Sequence, residues 1–284
     1  MGDEQGAGGR AAVIGGGTMG AGIAQVLLEA GCAVVVVEAD GDAASRARAR
    51  IADGLARRKG AAAGEIEARI GRLGTVTGLD APLDVKLVVE AIPEIPAAKR
   101  DLLAAAEKVV PSGALLASNT SSLSITELAG ALERPERFLG MHFFNPVPLS
   151  ALVELVVGPG TAPEAVADAR RWVARLDKES IEVRDSPGFA TSRLGVCLGL
   201  EAIRMLEEGV ASAADIDRGM VLGYRHPMGP LRLTDLVGLD VRLAIAEHLA
   251  ATLGPRFEPP ALLREKVAAG ELGQKSGRGF YDWS

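Results

Sequence analysis

The sequence predicts an α/β protein in which an N-terminal, doubly wound and mostly parallel sheet with an inserted helical hairpin precedes an all-α C-terminal domain. Short apolar runs alternate with helical segments as far as residue 183, which is typical of a sheet covered by helices. No convincing strand follows residue 189. At ~150 residues per domain, the 284 residues correspond to two domains, which we place at 1–184 and 185–284.

The predicted elements follow from local patterns. An apolar run at 11–15, a glycine cluster, apolar residues at helical spacing from 23 to 30 and a β-branched run at 33–37 predict a strand–helix–strand unit. Residues 42–72 are rich in Ala and Arg and predict a helical hairpin, with Gly60 and Gly64 bracketing its turn. Further strands are predicted at 87–91, 115–118, 138–143, 152–157 and 180–183, with a helix at 97–110.

Composition excludes several classes of protein. Hydrophobic residues make up 48% and charged residues 24%, which is typical of a globular chain rather than a disordered one. The net charge of −6 does not suit a nucleic-acid-binding or membrane-surface protein. Cys32 and Cys197 lie in apolar runs and predict buried thiols in a reducing compartment. Since the start lacks a signal-peptide pattern and no apolar stretch reaches ~20 residues, we expect a cytoplasmic protein.

Residues 15–20 match G-x-G-x-x-G between a predicted strand and helix. The first glycine allows a tight turn, the second lets the backbone approach a pyrophosphate, and the third lets helix and strand pack closely. Glu38 ends the second strand, where its carboxylate can accept both ribose hydroxyls of an adenosine. Glu38 and Asp40 would repel a 2′-phosphate, so a Rossmann-type domain that binds NAD is favoured over one that binds NADP. The predicted cofactor residues here are Gly15, Gly17, Thr18, Met19, Gly20 and Glu38.

His142 is the candidate base. It lies near the end of a predicted strand, at the sheet edge where doubly wound folds bind ligands, and the three histidines of the chain have no metal-site spacing. Glu154 is the one charged residue in the run 152–157, where a buried carboxylate needs a partner. Pairing with Glu154 would fix the imidazole tautomer and stabilise its protonated form. The alternatives are a core histidine and a glutamate that faces solvent from an edge strand.

Two further clusters are candidates. Asn119, Thr120 and Ser121 follow a strand, where a hydroxyl or amide can orient a substrate oxygen or a nicotinamide amide, whereas Ser124 is accounted for as a helix cap. A positive patch contains Arg46, Arg48, Arg50, Arg57, Arg58 and Lys59. This patch is either a solvated helix face or a site for a phosphate-bearing substrate.

These features together resemble the 3-hydroxyacyl-CoA dehydrogenase family, and the resemblance covers nearly the whole chain. It rests on blocks that include Val-Ile-Gly-Gly-Gly-Thr-Met-Gly-Ala-Gly, Ala-Ser-Asn-Thr-Ser-Ser-Leu-Ser, Met-His-Phe-Phe-Asn-Pro-Val-Pro and His-Pro-Met-Gly-Pro, in that order. The family's bacterial 3-hydroxybutyryl-CoA dehydrogenases match most closely. The resemblance implies reversible, NAD-dependent oxidation of a short (S)-3-hydroxyacyl-CoA to the 3-oxoacyl-CoA, and a homodimer formed through the helical domain.

The resemblance also implies roles for individual residues. His142 would be the base and Glu154, twelve residues later, its partner. Ser121 and Asn145 would contact the substrate hydroxyl and the nicotinamide. Further cofactor contacts would be Glu94, Lys99 and Lys275, and the coenzyme A site would lie at Arg57, Arg58 and Lys59.

One position departs from the family pattern. Ser192 stands where the family usually has Asn before Arg-Leu, so the second polar contact to substrate is expected to be displaced or carried by water, and acyl preference is open. Two other functions remain: a dehydrogenase of the same fold that acts on a sugar acid such as L-gulonate, and a non-catalytic NAD-binding protein like the lens crystallins of this lineage.

Overall fold

The computed structural model describes residues 9–58, 60 and 62–283 and contains two compact units, Met1–Asp185 and Ser186–Ser284. The division falls one residue later than the sequence pattern places it. Eight strands of the first unit form one sheet. They are β1 (Arg10–Ile14), β2 (Ala33–Glu38), β3 (Leu73–Thr77), β4 (Leu87–Glu90), β5 (Leu115–Ser118), β6 (Phe138–Phe143), β7 (Leu152–Val157) and β8 (Glu179–Arg184).

The sheet has the order β3-β2-β1-β4-β5-β6-β7-β8, and all neighbours are parallel except β6 and β7. The predicted α/β class and mostly parallel sheet are therefore confirmed. The chain leaves β1 toward β2 on one side, and β4 lies on the other side of β1. Because strand order reverses at this point, the loops after β1 and β4 border the crevice where doubly wound sheets bind ligands.

Six α-helices of the first unit lie between these strands in the described residues: α1 (Thr18–Glu29), α2 (Gly41–Ala56), α3 (Ala63–Ile70), α4 (Pro96–Val109), α5 (Ile125–Ala129) and α6 (Pro163–Arg175). Helices α2 and α3 are the predicted hairpin, but Gly64 lies inside α3 rather than in the turn. Strand β3 was not predicted, because only Leu73 of its five residues is buried and no apolar run marks it.

The core of the first unit explains the apolar runs. Strand β2 is β-branched from Val34 to Val37 and lies between β1 and β3. Helix α6 closes one part of this core with Trp172, which is 9% exposed and whose indole fills the space beside Gly9. Cys32 is buried as predicted, and burial raises the pKa of its thiol.

The second unit is helical, as predicted. Its α-helices in the described residues are α7 (Thr191–Glu207), α8 (Ala213–Gly223), α9 (Pro230–Val237), α10 (Leu239–Leu253) and α11 (Ala261–Ala268). The Ser212 hydroxyl caps α8 by accepting from the Asp215 N–H at 3.2 Å. Cys197 on α7 is exposed, so the prediction of a buried thiol was wrong there. In the described ranges, no helix has the length and apolarity to cross a bilayer.

Asp235 fastens the C-terminal segment to this unit. Its side chain is fully buried and accepts from the backbone N–H groups of Phe280 and Tyr281 and from the indole N–H of Trp283, each at 2.8–2.9 Å. The Arg232 guanidinium lies 4.6 Å from the centroid of the Trp283 ring. A buried carboxylate with three donors is satisfied without a buried cation.

Candidate active site

The glycine loop after β1 has the three properties that its motif requires. Gly15 has a φ of +93°, and a Cβ there would lie 2.9 Å from the Ala91 carbonyl oxygen. A Cβ on Gly20 would lie 1.7 Å from the Gly15 carbonyl oxygen, so only glycine lets α1 pack this closely. A Cβ on Gly17 would meet nothing within 4 Å. The loop therefore leaves open space where the motif predicts a pyrophosphate.

The peptide of Gly16 is held at both ends. The Glu38 Oε1 atom accepts from the Gly16 N–H at 2.6 Å, and the Arg50 Nη1 group donates to the Gly16 carbonyl at 2.6 Å. Glu38 lies at the end of β2, as predicted. Arg50 does not belong to a purely solvated helix face, and neither does Arg48, which donates to the Leu73 carbonyl at 2.9 Å.

The start of α1 fits a dinucleotide. Thr18 and Met19 open the helix, and its N-cap, Gly17, has no side chain to satisfy the first-turn N–H groups. These N–H groups and the positive end of the helix dipole favour a phosphate group. With the open space at Gly17 and the carboxylate of Glu38 at the adjacent strand end, the residues present fit NAD.

Strands β6 and β7 bring the candidate base and its partner together. His142 and Glu154 are direct partners in the antiparallel register, and the His142 Nδ1 and Glu154 Oε2 atoms are 2.7 Å apart. Glu154 is 0% exposed and His142 is 5% exposed. The interpretation of Glu154 as a solvent-facing edge residue was therefore wrong, because β7 is an inner strand that pairs with both β6 and β8. A carboxylate at Nδ1 favours the tautomer with a proton there, which leaves Nε2 as the basic atom.

The loop after β5 contains three polar residues with different tasks. The Asn119 Oδ1 atom accepts from the Phe143 N–H at 2.9 Å, which joins the end of β5 to that of β6. The Thr120 hydroxyl donates to Glu94 Oε1 at 2.5 Å. The Ser121 Oγ atom lies 3.1 Å from His142 Nε2. Of the three, Ser121 is therefore the residue whose hydroxyl could form a hydrogen bond to the same substrate hydroxyl as the His142 imidazole.

Glu94 holds this loop in place. Its Oε1 atom accepts from the Ser121 N–H at 2.8 Å as well as from Thr120, and its Oε2 atom is 3.2 Å from the Lys99 ammonium. Burial alone would raise the pKa of Glu94, but the Lys99 charge and the Thr120 hydroxyl lower it below its usual value. The carboxylate is therefore ionised at neutral pH and acts as an acceptor.

A buried ion pair lies behind Glu94. Glu90 and Lys99 are each 0% exposed, and the Lys99 Nζ and Glu90 Oε1 atoms are 2.5 Å apart. The Ser118 hydroxyl donates to Glu90 Oε2 at 2.5 Å, and the Ile92 carbonyl accepts from Lys99 at 3.1 Å. The Lys99 ammonium is thus shared among protein oxygens, and its contact to the cofactor stays a prediction.

Other predicted residues of the first unit lie at its surface. Asn145 follows β6 and is exposed, as is Arg57. The Arg58 guanidinium pairs with Glu29. Lys59 lies outside the described residues. Their roles toward substrate and coenzyme A stay predictions.

Two predicted residues lie in the second unit. Ser192 is half-buried in the first turn of α7. Lys275 is exposed, and its ammonium is 2.6 Å from Asp240 on α10. Burial opposes ionisation of Asp240, but the hydrogen bond from Lys275 lowers the pKa of this carboxyl below its usual value.

Glu90 was not predicted as a site residue, although its sequence signal was present. Glu90 is a single acidic residue at the end of an apolar run, the same pattern that pointed to Glu154. Its partner could not be found in this way, since Lys99 lies in an Ala-rich helix and shows no unusual spacing. The Arg50 contact also has no sequence signal, because it depends on how α2 lies against the glycine loop.

A glycine loop beside an uncapped helix start, with an acidic residue at the end of the second strand and a histidine–carboxylate pair at the same sheet, is typical of NAD-dependent dehydrogenases. Comparison with known proteins agrees. Residues 10–186 match the family model for the 3-hydroxyacyl-CoA dehydrogenase NAD binding domain, and residues 188–283 match the model for the C-terminal domain of the same enzymes. The chain belongs to the 3-hydroxyacyl-CoA dehydrogenase family.

Individual relatives cover almost the whole chain. A probable 3-hydroxybutyryl-CoA dehydrogenase of Bacillus subtilis is 42% identical over 95% of this chain and 96% of its own length. A 3-hydroxybutyryl-CoA dehydrogenase of Mycobacterium tuberculosis is 43% identical over 96% of this chain and 98% of its own. The crystal structure of (S)-3-hydroxybutyryl-CoA dehydrogenase from Ralstonia eutropha has a TM-score of 0.92 at 40% identity, covering 97% of this chain and 99% of that one.

The open space at Gly17 gives a test of the cofactor site. We expect Gly17→Ala to weaken NAD binding roughly 10- to 100-fold with little change in Tm, because the added methyl group meets no protein atom but enters the phosphate space. Gly20→Ala should lower both affinity and Tm, because its Cβ collides with backbone. Calorimetric titration with NAD and thermal unfolding measure the two effects. A Gly17→Ala variant with the affinity of the wild type would contradict this assignment.

The buried pair gives a test of the support behind Ser121. We expect Lys99→Met to lower the free energy of unfolding by about 3–5 kcal/mol, because it leaves the Glu90 carboxylate buried without a cation. The double variant Glu90→Gln/Lys99→Met should recover part of this loss, since no net charge then remains in the core. Urea unfolding of both variants measures the difference. A double variant less stable than Lys99→Met would argue against the pair.

Proposed function

We propose that the chain catalyses the reversible, NAD-dependent oxidation of short-chain (S)-3-hydroxyacyl-CoA, such as 3-hydroxybutyryl-CoA, to the 3-oxoacyl-CoA. The observation that carries this proposal is the series Ser121 Oγ, His142 Nε2, His142 Nδ1 and Glu154 Oε2, joined by distances of 3.1 Å and 2.7 Å. The names of the relatives support the substrate class. They do not favour a sugar acid, and the intact histidine–carboxylate pair does not favour a protein without turnover.

His142, Glu154 and Ser121 have separate roles in the oxidation of the alcohol. NAD, when bound, supplies the hydride acceptor. His142 Nε2 removes the proton from the substrate hydroxyl, and the buried Glu154 carboxylate stabilises the imidazolium that results. Ser121 donates a hydrogen bond to the substrate oxygen, and its position follows from the Glu94 carboxylate that binds its N–H. In the reverse direction the same imidazolium returns the proton.

Further contacts are part of the proposal. Asn145 and Ser192 contact the substrate. The Ser192 side chain is shorter than the Asn that the family usually has at this position, so it extends less far toward the substrate. Glu94, Lys99 and Lys275 act toward the cofactor, and Arg57, Arg58 and Lys59 toward coenzyme A. A role in fatty acid β-oxidation and a cytoplasmic location stay predictions.

We also propose a homodimer formed through the second unit. Of twelve exposed large hydrophobic residues among the described positions, eight belong to this unit. Leu222 and Tyr224, at the end of α8, are 67% and 76% exposed. Contiguous exposed apolar surface marks protein–protein contacts, and Leu222 and Tyr224 lie two residues apart at this helix end.

Substitution of the base tests the mechanism. We expect His142→Ala to lower kcat roughly 10²- to 10⁴-fold with unchanged affinity for NAD, because proton removal is lost and the glycine loop is untouched. Glu154→Gln should lower kcat as well, since the imidazolium loses its counter-charge. NADH formation from 3-hydroxybutyryl-CoA measures kcat. Exposed His248 provides the matched control, His248→Ala, which should retain full activity. A folded His142→Ala variant with wild-type kcat would disprove the role of the base.

Sedimentation tests the dimer. The 29.3 kDa chain should sediment at about twice this mass, and Leu222→Lys/Tyr224→Lys should shift it toward the monomer because two ammonium groups would be buried at the contact. Leu149→Lys, at an exposed apolar residue of the first unit, is the control and should remain dimeric. A wild-type chain that sediments as a monomer contradicts the proposal.

A further inference from the structure

The glycine loop has a glycine at a position that its motif leaves unrestricted. Gly16 lies between Gly15 and Gly17, so the peptide that joins Gly16 to Gly17 has no Cβ on either side. Because glycine adopts positive and negative φ about equally, a peptide between two glycines can rotate from one orientation to the opposite one at little steric cost. The loop sequence by itself therefore does not fix the direction of the Gly17 N–H group.

Helix α2 explains why residue 16 has no side chain. A Cβ on Gly16 would lie 2.3 Å from the Ala47 Cβ atom and 2.8 Å from the Glu38 Oε1 atom. Ala47 is 1% exposed, so it has no room to move away. The close packing of α2 thus excludes the side chain that would otherwise restrict this peptide.

The same helix supplies a different restraint. Arg50 follows Ala47 by three residues on α2, and residues at this spacing share a face of a helix. The Arg50 Nη1 group donates to the Gly16 carbonyl at 2.6 Å, and a hydrogen bond from a charged donor is stronger than one between neutral groups. In a trans peptide the carbonyl and the N–H point in opposite directions, so this bond turns the Gly17 N–H away from the guanidinium.

We propose that Arg50 is a positioning residue for the pyrophosphate of NAD. By holding the Gly16 carbonyl, it keeps the Gly17 N–H directed at the open space where the motif predicts the phosphates, and it acts through this peptide rather than by touching the cofactor. Glu38 restrains the preceding peptide in the same way by accepting from the Gly16 N–H. A loop that is already ordered loses less conformational freedom when the cofactor binds. The inference concerns NAD binding alone and does not depend on the identity of the acyl substrate.

The experiment measures NAD affinity without turnover. In calorimetric titration, we expect Arg50→Met to raise the Kd for NAD roughly 5- to 20-fold, because the peptide is then free to rotate. The kcat at saturating NAD should not fall, since the restraint acts on cofactor binding and not on the proton transfer. Arg50→Lys keeps a charged donor for the carbonyl and should have a Kd within about threefold of the wild-type value.

A matched control removes the same kind of bond elsewhere. The Arg72 Nη2 group donates to the Leu28 carbonyl at 2.8 Å, at the opposite end of α1 from the glycine loop. Arg72→Met therefore also loses an arginine–carbonyl hydrogen bond, but it should leave the Kd for NAD unchanged. Thermal unfolding of all the variants shows whether each is folded at the temperature of the titration.

Salt separates positioning from a direct ion pair. The attraction between an exposed guanidinium and a phosphate is screened by salt, whereas the freedom of a peptide to rotate is not. The ratio of the Arg50→Met Kd to the wild-type Kd should therefore be the same at about 50 mM and about 500 mM NaCl. A ratio that falls toward one at the higher concentration would mean that Arg50 binds the phosphates itself, and would overturn the positioning role.

Other results would overturn the inference as well. These are a wild-type Kd in Arg50→Met, an equal loss of affinity in Arg72→Met, an Arg50→Lys variant as weak as Arg50→Met, or a lower kcat with an unchanged Kd. None of them would affect the proposed function, which is tested by turnover of 3-hydroxybutyryl-CoA. A wild-type chain that oxidises no 3-hydroxyacyl-CoA but binds NAD with the expected dependence on Arg50 would contradict the proposed function and leave this inference in place.

Discussion

The antiparallel register of β6 and β7 puts His142 directly opposite Glu154, and the chemistry of the site depends on this pairing. Side chains alternate along a strand, so a slip of one residue would turn the two groups to opposite faces of the sheet. The register is in turn fixed by the apolar neighbours, since Met141, Phe143, Val153 and Leu155 are each 2% exposed or less. The core packing that fixes this register therefore also places the base opposite its carboxylate.

Buried charge is treated differently in the two units. In the first unit, Glu154 and Glu90 each have a basic partner within 2.7 Å, and the Glu90–Lys99 pair supports the carboxylate that positions Ser121. In the second unit, Asp235 is satisfied by N–H donors alone. Arg242, also in the second unit, is buried, and its fully enclosed Nε atom has no hydrogen-bond partner in the described chain.

Much of the fold was predictable because its elements have strong local patterns. The buried parallel strands read as apolar runs, and the glycine loop, Glu38 and the capped helix starts have fixed spacings. Strand β3 was not predictable in this way. It lies at the edge of the sheet and is mostly exposed, so its place comes from pairing with β2 rather than from hydrophobicity.

Site residues were predictable from the sequence where a charged residue lies within an apolar run. Glu154 in an apolar strand indicated a buried partner, and the same reasoning applies to Glu90. The contact of Arg50 with the Gly16 carbonyl was not predictable, because a basic residue in a helix is ordinary until tertiary packing decides what it faces. The family resemblance supplied roles for Asn145 and Lys275 that their local sequence does not indicate.

The two tryptophans of the chain are divided between the units: Trp172 packs against Gly9 in the first, and Trp283 donates to Asp235 in the second. Each indole is therefore an intrinsic fluorophore for one unit. When only tryptophan is excited, a chain in which Trp172 is replaced by Phe would emit from the helical unit alone, and one in which Trp283 is replaced would emit from the sheet unit alone. The pair of spectra would show whether the two units melt together or in sequence.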